Sequence, residues 1–222
     1  MASMNSKFSG WFNGWKKGLY DYKFLIILSI IFIVFSEWVC VRASIYVDKI
    51  TTVPVPDLIL DSIHVTDMSF LFAYGFMAVM TILALYTFIF KVERFHEVSF
   101  MFCLLVLARS AFITLTHLGI PHDAIMVGGV SNLYQAFNFR NDLFFSGHAA
   151  IPFLGFLIFR KEAIGIFFFI MTILLSITVL MMHLHYSIDV FSAFFITYGV
   201  YKFGEYIIAS KGWNDIVDVK KA

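Results

Sequence analysis

Two short stretches of the chain carry ionisable side chains at the edges of long apolar runs. Residues 141–148 read Asn-Asp-Leu-Phe-Phe-Ser-Gly-His, and residues 183–189 read His-Leu-His-Tyr-Ser-Ile-Asp. His185 and Asp189 are four residues apart, which predicts that they share one face of a helix. A carboxylate there could fix the tautomer of the imidazole and leave its second nitrogen free to attack phosphorus. The second stretch therefore predicts an activated histidine nucleophile.

The first stretch ends in Ser146, Gly147 and His148, a combination that predicts the start of a helix. Serine is a favoured N-cap residue, and glycine lets a ligand approach the backbone closely. The free amides of a helix N-terminus favour an anion such as a phosphate group. His148, in the first turn, could protonate a leaving oxygen. The two stretches together predict one site that combines a nucleophile with a general acid.

Arg109 is the third element, because it is a cation inside an apolar run. A guanidinium in such a place needs a partner, and a phosphate oxygen is a good one. Asp142 is the competing partner, and in that case Arg109 is structural. The sequence leaves both interpretations open.

Each of these patterns also has an alternative interpretation. His185 and Asp189 could form a structural polar pair between helices, and His148 alone could be an ordinary interfacial histidine. His183, His185 and Asp189 could be read as zinc ligands, but His183 would lie on a different helix face from His185. We expect no metal and no cofactor.

The composition predicts an integral membrane protein. Of the 222 residues, 60% are hydrophobic and 14% are charged, whereas soluble domains are about half apolar and about a quarter charged. The net charge of +1 and the lack of a basic cluster argue against a nucleic-acid partner. Cys40 and Cys103 lie in apolar runs, so we expect small buried hydrophobic residues and no disulfide framework.

The hydropathy pattern predicts an all-α, polytopic fold with six transmembrane helices. The predicted spans are residues 24–44, 68–90, 98–117, 147–159, 163–182 and 186–207. The fourth is too short to cross a bilayer alone. We divide the chain into an amphipathic cytoplasmic segment (1–23), a six-helix membrane catalytic domain (24–210) and a cytoplasmic tail (211–222).

The distribution of lysine and arginine predicts the orientation of these spans, because cytoplasmic loops are enriched in both residues. One side of the predicted membrane carries most of them, and the other carries few. The first group is Lys7, Lys16, Lys17, Lys23, Lys91, Arg94, Arg160, Lys161, Lys202, Lys211, Lys220 and Lys221; the second is Arg42, Lys49 and Arg140. Both termini are thus predicted to be cytoplasmic. Segments 45–67 and 118–146, with both motif stretches, are predicted to face the periplasm, the exterior or an organelle lumen.

The motifs resemble those of the sphingomyelin synthase family, a branch of the type 2 phosphatidic acid phosphatase superfamily. Residues 142–148 are similar to the family's Asp-x-x-aromatic-Ser-Gly-His, and residues 185–190 to its His-Tyr-(Ser/Thr)-x-Asp-Val. Residues 109–121 resemble its arginine-led third span, and residues 54–57 its proline-rich first outer loop. The likeness runs in the family's order from the first outer loop to the last span.

The resemblance implies six helices and a catalytic triad. By that likeness His185 is the nucleophile, Asp189 orients it, and His148 acts as acid and base. A phospholipid would give its phospho-headgroup to His185 and release diacylglycerol, and a ceramide-like lipid alcohol would then accept the headgroup. The residues that we expect to bind substrate are Arg109, Asp142, Ser146, Gly147 and Tyr186.

Departures from related patterns bear on the substrate. The family often has Cys-Gly where this chain has Arg140 and Asn141, and threonine where it has Ala149. The phosphatase branch has Ser-Arg where this chain has Thr178 and Val179. A phosphate monoester is nearly dianionic and calls for several cations, so the sequence favours a phosphodiester. The alternatives are a lipid phosphatase or phospholipase C-like hydrolase, and a non-catalytic lipid transporter or scramblase.

Overall fold

The chain folds into helices and connecting turns, without β-strands in the part that the structure describes. The structure is a computed structural model that describes residues 2–126 and 143–210. Its helices are α1 (Ala2–Asp21), α2 (Lys23–Val47), α3 (Phe76–Phe90), α4 (Phe95–Leu115), α5 (Gly147–Phe159), α6 (Ala163–Met181) and α7 (Ser187–Ser210). A π-helical turn (Leu71–Gly75) leads into α3, and the two 3₁₀ turns are Leu60–Ser62 and Val92–Arg94. This all-helical result agrees with the predicted fold class.

Four helical segments are long and apolar enough to cross a membrane. They are Lys23–Val47, Leu71–Phe90, Val92–Leu115 and Ala163–Met181. Helix α5 has only 13 residues, and α7 carries Asp189, Lys202 and Glu205 along its 24 residues. The four segments support an integral membrane protein, but the predicted count of six spans is not confirmed.

The N-terminal segment forms the helix α1 rather than an extended tail. Phe8, Trp11 and Phe12 are exposed on it, and the indole N–H of Trp15 donates to the carbonyl of Phe88 at 2.9 Å. Trp15 therefore connects α1 to the end of α3 by a hydrogen bond, while the rings of Phe8, Trp11 and Phe12 stay exposed. The placement of α1 on a membrane surface stays a prediction.

Helix α5 lies in the centre of the main hydrophobic cluster and packs closely on α6. A Cβ added at Gly155 would lie 2.7 Å from the ring of Phe168, so a glycine is needed for this approach. Ala149, Ala150 and Leu154 on α5 are fully buried, as is Phe168 on α6. Small residues on α5, Gly155 above all, thus let α6 come close to it.

The end of α5 farther from its first turn meets a cluster of charged residues. Glu162 accepts a hydrogen bond from Tyr86 at 2.7 Å and pairs with Lys91 at 3.1 Å and Arg94 at 3.6 Å. Burial raises the pKa of Glu162, but the bonds from Tyr86 and Lys91 and the nearby positive charges outweigh it and lower that pKa. This cluster joins the α3–α4 and α5–α6 turns.

The end of α6 corrects one sequence prediction. His183 has a φ of 54°, and its amide donates to Leu180 while that of Leu184 donates to Val179, both at 3.0 Å. These two bonds form a Schellman motif, which normally has glycine at the left-handed position. His183 and His185 therefore lie in the turn before α7, and the prediction that His185 and Asp189 share one helix face is wrong. Asp189 belongs to the first turn of α7, and His185 precedes it.

The left-handed backbone at His183 predicts which of two substitutions leaves the protein more stable. His183→Gly and His183→Ala remove the same imidazole, but only alanine keeps a Cβ that is strained at positive φ. We expect the glycine variant to be more stable by about 1 kcal/mol. Thermal unfolding of both variants in the same detergent measures the difference. Equal midpoints, or a more stable alanine variant, would contradict the left-handed backbone at His183.

Candidate functional site

The two motif stretches are joined directly by hydrogen bonds. The amide of Ser146 donates to the carbonyl of Asp189 at 3.3 Å. The hydroxyl of Ser192, one turn further along α7, donates to the carbonyl of Phe144 at 3.1 Å. The start of α5 and the start of α7 therefore lie side by side. The structure therefore brings the two motif stretches together, as the sequence predicted.

Asp189 and His185 lie at the centre of this junction between the starts of α5 and α7. Nδ1 of His185 lies 3.1 Å from Oδ2 of Asp189, and the Asp189 side chain is fully buried. An ionised carboxylate can only accept hydrogen bonds, so an ionised Asp189 selects the His185 tautomer with its hydrogen on Nδ1. Nε2 of His185 then keeps its lone pair, which is the arrangement that a nucleophilic imidazole needs.

Asp189 also shapes the first turn of α7. Its Oδ2 accepts the amide of Tyr186, the residue before the helix, at 3.0 Å. This is the return bond of a capping box, in which the third helical residue reaches back to the residue before the helix. The same carboxylate oxygen thus caps the N-terminus of α7 and orients His185. Among the described residues, Oδ1 of Asp189 has no hydrogen-bond partner.

His148 lies in the first turn of α5, between two phenylalanine rings. Its ring centroid is 4.0 Å from that of Phe72, with an interplanar angle of 14°, and 4.2 Å from that of Phe76. The ring also makes a hydrogen bond to the backbone of Phe72 and is close enough to His185 and Arg109 for electrostatic interaction. Its Nε2 is buried without a partner in the described part of the chain.

The π-helical turn before α3 provides these contacts. Phe72 lies within this turn, and Phe76 follows its last residue, Gly75. The amide of Phe76 donates to the carbonyl of Ala73. Such π turns recur at functional sites. Phe72 in the turn and Phe76 directly after it thus present two rings to His148, and Phe72 also presents a backbone group. An all-apolar segment gives no signal of π geometry, so the turn could not be predicted from the sequence.

Ser146 and Gly147 begin α5, as predicted, but the serine hydroxyl does not cap the helix. Ser146 has the extended backbone of an N-cap residue, without a side-chain capping bond. Its hydroxyl is fully buried and has no partner among the residues that the structure describes. Nε2 of His148 and Oδ1 of Asp189 are likewise buried without a partner among the described residues.

Arg109 reaches the start of α5 from α4. Its Nε donates to the carbonyl of Phe145 at 3.2 Å, and its Nη1 lies 3.5 Å from Sγ of Cys40 on α2. Glu37 on α2 also interacts with it electrostatically. Asp142, the acidic partner that the sequence indicated for Arg109, lies outside the described residues. An acid within an apolar run was the signal that could have identified Glu37.

Tyr186, which we expect from the sequence to bind substrate, is held by backbone hydrogen bonds in the structure. It is 1% exposed, and its hydroxyl donates to the carbonyl of Gly119 at 2.7 Å and accepts from the amide of Val55 at 3.1 Å. Both hydroxyl bonds therefore go to backbone groups of two connecting segments. This geometry favours a positioning role for Tyr186. In the described ranges, no group of three or more His, Cys, Asp or Glu side chains is arranged to hold a metal ion.

The comparison with known families covers the part of the chain that contains both motif stretches. Residues 141–206 match the family model described as PAP2 superfamily C-terminal. The match includes His148, His185 and Asp189 and supports the type 2 phosphatidic acid phosphatase superfamily, without selecting its sphingomyelin synthase branch. A search of curated proteins finds no match. An apolar helical protein with this match is consistent with a membrane enzyme of lipid phosphatase or phosphotransferase type.

The contact between the two connecting segments predicts the effect of a glycine substitution. A Cβ at Gly119 would lie 2.5 Å from the carbonyl carbon of Val53 and 2.6 Å from the nitrogen of Pro54. Because these are backbone atoms, the segments must separate, and we expect Gly119→Ala to destabilise the protein by about 1–3 kcal/mol. Gly199→Ala is the matched control, since its Cβ would meet nothing within 4 Å. Similar unfolding midpoints for both variants would contradict this contact.

Proposed function

We propose that the protein is a lipid phosphotransferase that moves a phospho-headgroup from a glycerophospholipid to a lipid alcohol. The observation that supports it best is the buried His185–Asp189 pair beside His148 in the first turn of a second helix. A histidine oriented by a carboxylate is suited to nucleophilic attack. A second histidine within electrostatic range is suited to moving the proton of the leaving or attacking oxygen.

The first step transfers the headgroup to the protein. Nε2 of His185 attacks phosphorus and forms a P–N bond, while the bond from phosphorus to the glycerol oxygen breaks. His148, in its imidazolium form, gives a proton to that oxygen and becomes neutral, and diacylglycerol leaves. Asp189 accepts the Nδ1 hydrogen bond throughout, which stabilises the positive charge that the imidazole gains.

The second step returns the protein to its starting state. The hydroxyl oxygen of the acceptor attacks phosphorus, and the P–N bond breaks. His148 takes the proton from the hydroxyl, so it acts as base here and as acid before. A ceramide-like alcohol is the acceptor that the motif resemblance favours. Water as the acceptor would give the hydrolase alternative.

The cations near the site favour a phosphodiester over a monoester. Arg109 is held at the start of α5 by Phe145, where helix amides add positive potential. Thr178 and Val179, at the positions of the phosphatase branch's Ser-Arg pair, are fully buried in α6, and Thr178 donates to Leu174 within that helix. These two positions supply no cation. A singly charged phosphodiester needs fewer cations than a nearly dianionic monoester.

The proposed substrates are membrane lipids, so the site should open toward the bilayer. The lysine and arginine distribution supports cytoplasmic termini and a site on the opposite face. The charged cluster around Glu162 and the first turn of α5 lie at opposite ends of that helix, which is consistent with this orientation.

A lipid assay tests the reaction and its alternatives. The purified protein is incubated with labelled phosphatidylcholine or phosphatidylethanolamine, with and without ceramide, and the lipids are resolved. We expect diacylglycerol and a new phospholipid that forms only with the acceptor. Diacylglycerol without a new phospholipid would mean hydrolysis, and lipid flipping in vesicles without turnover of any donor would refute the enzyme assignment.

Three substitutions test the roles within this reaction. His185→Ala and Asp189→Asn should abolish turnover while the protein remains folded and membrane-inserted, because each removes part of the nucleophile. His148→Ala should slow both steps, and the phospho-headgroup adduct that forms on His185 should persist because the acceptor lacks its base; mass spectrometry of the digested protein detects it. Near-normal turnover in His185→Ala would show that the nucleophile is wrongly assigned.

Gly147 provides a test of ligand approach at the start of α5. A Cβ there would lie 3.6 Å from Nε of Arg109, an ordinary contact, so Gly147→Ala should fold normally. We expect its KM for the phospholipid to rise about 10-fold, because one lost contact of about 1.4 kcal/mol has that effect. Gly199→Ala, which adds the same methyl in open space, should leave turnover unchanged. An unchanged KM in Gly147→Ala would argue against phosphate binding at this helix end.

A further inference from the structure

Asp57 lies in the α2–α3 loop (residues 48–70) and has both carboxylate oxygens engaged. It is 8% exposed. Its Oδ1 accepts the amides of Ile59 at 2.9 Å and Leu60 at 3.1 Å. These bonds hold Asp57 in a local turn of the loop and leave Oδ2 to face another element.

Oδ2 of Asp57 faces Ser187, the first residue of α7. Oδ2 of Asp57 accepts the amide of Ser187 at 2.7 Å and the hydroxyl of Ser187 at 2.8 Å. The two residues are 130 positions apart in the sequence. Ser187 lies between His185 and Asp189, so this contact is made inside the motif that contains the proposed nucleophile.

The first turn of α7 needs a cap from outside its own sequence. A helix N-terminus leaves several amides without intrahelical partners, and the residue before the helix normally caps one of them with its side chain. Tyr186 occupies that position, but its hydroxyl is bonded to Gly119 and Val55. Asp189 satisfies the amide of Tyr186, and Asp57 satisfies that of Ser187.

The charge of Asp57 is matched to this role. Burial raises the pKa of its carboxyl group, but hydrogen bonds from Leu60, Ser187 and Ile59 outweigh this effect and lower the pKa below its ordinary value. Asp57 is therefore a carboxylate at neutral pH, and negative charge is favoured at a helix N-terminus. An asparagine cannot replace it, because its amide group would place a donor against either Ser187 or the amides of Ile59 and Leu60.

We propose that Asp57 is a positioning residue, which fixes the first turn of α7 and thereby holds Asp189 and His185 in the reactive arrangement. Its effect on activity rests on the proposed transfer reaction; its effect on the first turn of α7 does not. The carboxylate has no assigned contact with substrate and acts through the backbone and hydroxyl of Ser187. Loss of the cap lets the turn move, and small misplacements of reacting groups have large effects on rate.

The test compares Asp57→Asn with Asp61→Asn, which removes an exposed carboxylate from the same loop. In Asp57→Asn we expect kcat for headgroup transfer to fall about 10- to 100-fold, with KM within about two-fold. The adduct on His185 should form more slowly but reach the same final stoichiometry in a His148→Ala background. Asp61→Asn should match the unsubstituted protein in all three quantities. A structural loss alone would instead lower the final stoichiometry at an unchanged rate.

Ser187→Ala tests the route of this effect. It removes the hydroxyl that Asp57 accepts and keeps the amide, so kcat should lie between those of the unsubstituted protein and Asp57→Asn. The two substitutions should also be non-additive when combined, because they act on one contact. Additive losses would overturn the proposed route.

Hydrogen exchange gives a readout that does not depend on activity. Exchange of the amides of residues 187–190, measured by mass spectrometry, should be faster in Asp57→Asn than in Asp61→Asn. If the unsubstituted protein turns over no lipid, the proposed function fails, and the exchange result alone decides whether Asp57 fixes the turn. Equal exchange in the two variants, or an active protein whose kcat is unchanged by Asp57→Asn, would overturn the inference.

Discussion

The carboxylate of Asp189 is the group on which the rest of this site depends. It is fully buried and bonds both the ring of His185 and the amide of Tyr186. A buried charge that loses its partners costs about 3–5 kcal/mol, so the turn before α7 and the histidine ring are fixed together. The carbonyl of the same residue accepts the amide of Ser146, which brings the start of α5 to this point.

The site is supported by segments that are far apart in the chain and themselves carry little chemistry. The π-helical turn presents Phe72 and Phe76 to His148, and Gly119 and Val55 bond the hydroxyl of Tyr186. Phe72, Phe76, Gly119 and Val55 carry no ionisable side chain. In a protein whose spans are almost entirely apolar, turns, rings and backbone groups are therefore the means of holding a small polar centre in position.

Much of the candidate site could be predicted because the cost of burying polar groups makes them conspicuous in apolar sequence. His148, His185, Asp189 and Arg109 were recognised in this way, and the structure brings their elements together. The helix start at Gly147 was also predicted correctly, since Ser-Gly is a strong local signal. Two details were wrong: the serine hydroxyl does not cap α5, and His185 precedes α7 instead of lying on it.

The sequence by itself determined the membrane character, the helical class and the residues suited to chemistry, because hydropathy and residue type are local properties. The partners of these residues were decided only by the tertiary structure. Asp57 bonds Ser187, which is 130 positions away in the sequence. Glu37 interacts with Arg109 from another helix, and Phe72 of the π turn packs on the ring of His148. Hydrogen bonds and ring contacts act over a few ångströms in space, so no pattern along the chain specifies which distant groups will meet.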